Sequence, residues 1–205
     1  MNIERLKEAE AEFFFIYPYG FESPEMKEIG KKHKMGKMID LVHETLNPES
    51  LEDVDVAIEN IIKVASRSSM VSVFEKTKFR DGLRQLPTDE KEELVDALKE
   101  LLHGDEEKGF NGLVDLLSIY KLAKWPLITV FRCYYYPDTD LLFKPTTVKN
   151  VIKKYELEEL VYRPAPSYEF FVGYRDTINS MKQLVSPLLS PNNAAFSGFL
   201  MMTME

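Results

Sequence analysis

One cysteine, one tryptophan, three histidines and nine glycines in 205 residues leave several chemistries without raw material. Cys133 alone excludes an internal disulfide and any site built on several thiolates, and it points to a reducing compartment. With only His33, His43 and His103 as imidazoles, a base for nucleophilic catalysis is scarce, and no Gly-x-Ser-x-Gly elbow is present. The scattered glycines form neither Gly-x-Gly-x-x-Gly nor Gly-x-x-x-x-Gly-Lys-Ser/Thr, so no cofactor is expected. No stretch approaches the roughly 20 apolar residues of a membrane span. The start, Met1-Asn2-Ile3-Glu4-Arg5, lacks the basic and then apolar pattern of a signal peptide, so a cytoplasmic protein without membrane contact is expected. Basic residues are outnumbered, 26 against 34 acidic, and the net charge of -8 repels polyanions, which argues against nonspecific duplex binding.

What is present is helical rhythm. Apolar residues at three- and four-residue spacing predict helices over about 3–16, 25–46, 51–65, 70–86, 88–103 and 110–122. Further helices are predicted to enter at Lys144-Pro145-Thr146-Thr147, Ser167 and Ser190-Pro191-Asn192-Asn193. The run from Trp125 to Tyr136 carries Arg132 as its only charge, and periodicity does not separate a buried helix from a buried strand there. The expected fold is all-α or nearly so, roughly seven to ten helices packed irregularly and orthogonally, with a possible short β element near 134–143. No Gly/Ser/Pro-rich linker accompanies the acidic stretch Asp105-Glu106-Glu107, so one domain over 1–205 is expected.

Three short patterns occur in order: Tyr17-Pro18-Tyr19-Gly20-Phe21, Lys124-Trp125-Pro126-Leu127-Ile128-Thr129, and Leu142-Phe143-Lys144-Pro145-Thr146 after Pro137. Together they resemble a family of uncharacterised bacterial helical proteins with Tyr-Pro-x-Gly-Phe, Trp-Pro-Leu-x-Thr and Lys-Pro motifs. The resemblance spans most of the chain and implies no activity. The chain departs from it at Phe196-Ser197-Gly198-Phe199, where a more polar, Trp-containing helix would stand.

Candidate site residues follow from chemistry. Asp40 and His43 share one side of a predicted helix as weak metal ligands, but two ligands do not make a site, and no metal is expected. Lys144, Thr146, Thr147 and Lys149 surround a helix start, where free amides and partial positive charge favour an anion. Trp125 and Thr129 are candidates for a pocket wall, with Arg132 as a lone cation whose partner would be informative. Basic patches at Lys31, Lys32, Lys34 and Lys37, at Lys76, Lys78, Arg80 and Arg84, and at Lys149, Lys153 and Lys154 would form a nucleic-acid groove if they converged. Tyr17, Tyr19, Tyr134 or Tyr162 would then supply stacking platforms.

The leading expectation is a non-enzymatic intracellular binding or regulatory module, with a protein partner or an anionic ligand. One alternative is an enzyme acting on nucleic acid or a phosphorylated small molecule, with Arg132 or Lys144 holding the anion and Asp138 or Asp140 as base. Another is a subunit of a larger assembly, from the apolar tail Phe196, Phe199, Leu200, Met201 and Met202.

Overall fold

A computed structural model describes residues 1–204. Among these, eleven α-helices follow one another: α1 (Ile3–Ile16), α2 (Pro24–His33), α3 (Met35–Thr45), α4 (Val54–Arg67), α5 (Val73–Arg84), α6 (Thr88–His103), α7 (Glu106–Ile119), α8 (Trp125–Tyr135), α9 (Pro145–Lys154), α10 (Tyr168–Gln183) and α11 (Asn193–Met202). Short 3-10 turns occupy Gly20–Glu22, Glu49–Leu51 and Pro187–Leu189. The fold is all-α.

Local chemistry sets the helix starts. Asn2, Asp53, Asp105 and Asn192 each accept a first-turn amide hydrogen bond through their side chains. Ser72 and Glu75 form a capping box at α5, so Met70 and Val71 lie before that helix. Proline stands in the first turn of α2, α8 and α9, where its missing donor costs nothing.

Two expectations are corrected. The helix predicted over 25–46 is two helices, because Lys34 takes a left-handed conformation (φ 48°) and breaks the hydrogen-bond ladder; this raises the count above ten. No strand occurs among the described residues. Residues up to Tyr135 belong to α8, 137–139 turn, and Leu141, Leu142 and Phe143 are buried by side-chain packing without a partner strand.

The buried residues form one cluster. Its most aromatic part joins α7, α8, α10 and the 141–143 segment: Trp125 stacks on Phe143 (5.1 Å, 21°), and Phe110, Phe170, Phe171 and Tyr174 surround them. Each such ring pair adds about 0.5–1.5 kcal/mol beyond its area burial. Helices α6 and α7 form an antiparallel hairpin whose backbones meet at Gly109. A Cβ there would stand 2.0 Å from the Leu101 amide nitrogen and 2.6 Å from the Ala97 carbonyl oxygen. Helix α2, by contrast, buries only Met26 and leaves its other residues exposed.

Candidate functional site

The segment expected to wall a pocket is core instead. Trp125 is 1% exposed, its Nε1–H donates to the Arg163 carbonyl at 2.8 Å, and Thr129 Oγ1 donates to Trp125 O while accepting from Phe143 N–H. Both polar groups are thus satisfied within the fold. Cys133, on the same helix, is fully buried; burial and the Asp140 carboxylate push its thiol up to about 12, so the nucleophilic thiolate is suppressed.

Arg132 is paired. Its Nε donates to Asp140 Oδ1 at 2.8 Å and its Nη2 to Oδ2 at 3.1 Å; Nη1 donates to the Leu101 carbonyl at 2.7 Å, and Nη2 also lies 2.7 Å from Glu106. Arg175 bridges the same two carboxylates, at 2.7 Å to Glu106 and 3.3 Å to Asp140. Asp140 is 1% exposed and the arginines 12% and 15%, so the two positive and two negative charges form a closed set that ties α7, α8 and α10 together. Burial pushes Glu106 up, but the Arg175 hydrogen bond, the Arg132 charge and the Tyr168 hydroxyl outweigh it, and its pKa lies below the ordinary value. Arg132 and Asp140 are therefore occupied by each other, while Asp138 is exposed on the turn.

The other candidates separate. His43 Nε2 lies 3.0 Å from the Tyr135 carbonyl and its ring stacks on Tyr135, whereas Asp40 is exposed. No group of three or more metal-ligating side chains occurs among the described residues. In the second basic patch Arg80 pairs with Asp81 and Arg84 with Glu59. Tyr134 is buried on the Ser68 hydroxyl, and of the four tyrosines named as platforms only Tyr19 is largely exposed. Lys149 sits 5.9 Å from the Tyr162 ring, and Thr146 is exposed. Among the apolar tail residues, Phe196, Phe199 and Leu200 close the core; Met201 is half-exposed.

Lys144 and Thr147 reach a feature that sequence reasoning did not identify, a groove of about 350 Å³ between α2 and α11. On α2 its wall is Met26, Ile29, Gly30 and His33, at offsets of three, four and seven that bring side chains to one helical face. On α11 the wall is Ala194, Ala195, Gly198, Met201 and Met202, again one face. The small residues leave the gap unfilled: a Cβ on Gly30 meets nothing within 4 Å, and one on Gly198 meets only the Phe21 ring edge at 3.8 Å. Met35, Met70 and Leu142 complete the apolar lining. Ser197 Oγ, also in the lining, is shielded from solvent and is the one buried side-chain oxygen or nitrogen without a hydrogen-bond partner among the described residues.

One end of the groove is basic. Lys144 is partly buried, forms no ion pair or side-chain hydrogen bond among the described residues, and precedes α9, whose start has no side-chain cap. The amides of Thr146 and Thr147 are thus first-turn donors without a helical partner. His33 bonds Ser69 through Nδ1 at 2.9 Å; partial burial, then the charges of Lys144 and Lys32, hold its pKa below the ordinary value. Lys32 of the first basic patch and Lys144 at the α9 entry thus both act on His33. The signal in the sequence was the Met26, Ile29, Gly30, His33 spacing, hidden because α2 was read as continuous with α3.

No protein-family model matches the chain, and neither the curated proteins nor the solved structures contain a match.

Proposed function

We propose that the protein is a non-enzymatic cytoplasmic binding module that takes a small apolar ligand into the groove between α2 and α11. The observation that carries this reading is the groove itself: an apolar, methionine-rich space of about 350 Å³ beside the contiguous buried core. This volume lies at the lower end of the range typical of small-molecule pockets. Methionine is unbranched and polarizable, so five methionine side chains can refill or vacate the space as a ligand leaves or enters. Helix α2 is the movable wall, held by one buried side chain and bounded by the Lys34 break.

The closed arginine–carboxylate set and the buried thiol support a binder over the enzymatic alternative, because Arg132 and Asp140, one of the two groups considered for holding an anion and one of the two considered as base, are engaged in structure. The resemblance to uncharacterised bacterial helical proteins is compatible with this reading and adds no activity to it. The test is titration with Nile red, a neutral dye whose emission shifts to the blue in apolar surroundings. Saturable binding by the wild type that is lost in Gly198→Leu supports the proposal; equal binding by both proteins, or by neither, refutes it.

A further inference from the structure

Resting on that reading, we infer that the ligand is an amphipathic monoanion, a medium-chain carboxylate, lying with its chain between α2 and α11 and its carboxylate at Lys144 and the start of α9. Length and charge point the same way. From Met26 to His33 the α2 wall runs about 10 Å at 1.5 Å per residue. Taking roughly 30 Å³ per methylene-sized group, similar to the share of a liquid water, the groove holds about ten to twelve such groups.

The polar groups select the head. Lys27, the other lysine in the lining, is paired with Glu22 at 2.7 Å, whereas Lys144 is unengaged among the described residues. The α9 start has no side-chain cap, so its dipole favours an anion, and Thr147 in its first turn belongs to the lining. Partial burial is the main cause of the lowered His33 pKa, and the charges of Lys144 and Lys32 add to it, so both lysines lie near enough to His33 to act on it.

The experiment is calorimetric titration of the full chain with decanoate and with 1-decanol at pH 7.5, each below its micellar or solubility limit. The wild type is expected to bind decanoate at least about ten-fold more tightly than decanol, the ratio expected from one charge-assisted hydrogen bond. Lys144→Gln, at a partly exposed position that engages no other side chain among the described residues, is expected to reduce that preference to about two-fold or less. Equal affinity of the wild type for both ligands, or an undiminished preference in Lys144→Gln, overturns the inference and leaves the groove reading standing. Binding of neither ligand overturns both. An octanoate-to-tetradecanoate series is expected to peak near ten to twelve carbons; affinity that rises steadily with chain length instead contradicts seating in a groove of this size.

Discussion

Arg132 and Arg175, on different helices, each place a guanidinium nitrogen 2.7 Å from the same Glu106 Oε2, and both also reach Asp140. Removing the most buried member, Asp140, should leave two partly buried cations sharing Glu106 alone. Asp140→Ala is expected to cost about 3 kcal/mol or more, the range for breaking a buried pair by removing one partner. The urea midpoint at pH 7 measures it, and a loss below about 1 kcal/mol would show that the arginines find other partners or reach water.

The same set has a pH signature. Because Glu106 has a folded-state pKa below the ordinary 4.5, the folded protein binds fewer protons there than the unfolded chain. Its contribution to stability is present above about pH 4.5 and is lost as pH falls through the depressed folded-state value. Glu106→Gln should therefore lower the melting temperature at pH 7 and flatten its decline below pH 4.5. A parallel decline in wild type and variant would remove Glu106 from the account of acid unfolding.

At the α6–α7 crossing, Gly109→Ala would drive a Cβ into the backbone of Leu101 and Ala97, which cannot rotate away as a side-chain tip can. The expected cost is about 3 kcal/mol, the upper end for overpacking. Chemical denaturation reads it directly. A neutral substitution would show that the hairpin opens at little cost.

Gly198 presents the opposite case. It lies within α11 with open space beside it, so leucine there should extend into the groove and gain up to about 1 kcal/mol of helix propensity. Gly198→Leu is expected to fold at least as stably as wild type while losing Nile red binding, whereas a drop in melting temperature of several degrees would mean that the groove wall is less open than described.

Much of the helical framework was legible because apolar spacing, caps and prolines report on neighbours a few residues away. The 3–16 helix emerges at its predicted bounds for that reason. Trp125 to Tyr135 resolves as a helix through contacts with α3, α4, α6 and α7, information that no local window holds. The break at Lys34 was illegible since a lysine rarely adopts φ above zero, and nothing in its own chemistry marks the position. Lys144 and Thr147 stood out as a helix entry. That they share a groove with His33 and Ser197 depends on how α2, α9 and α11 come together, which sequence spacing does not encode.

The central claim is that a ligand enters between α2 and α11, and the nine methionines are built-in reporters. Methyl-labelled methionine spectra should be recorded while a neutral apolar ligand such as Nile red is added. The account predicts that the resonances of Met26, Met35, Met70, Met201 and Met202 shift and saturate together, while Met38 and Met181, buried in the core away from the groove lining, stay in place. Shifts confined to other methionines, shifts shared equally by Met38 and Met181, or no shifts at all would contradict it.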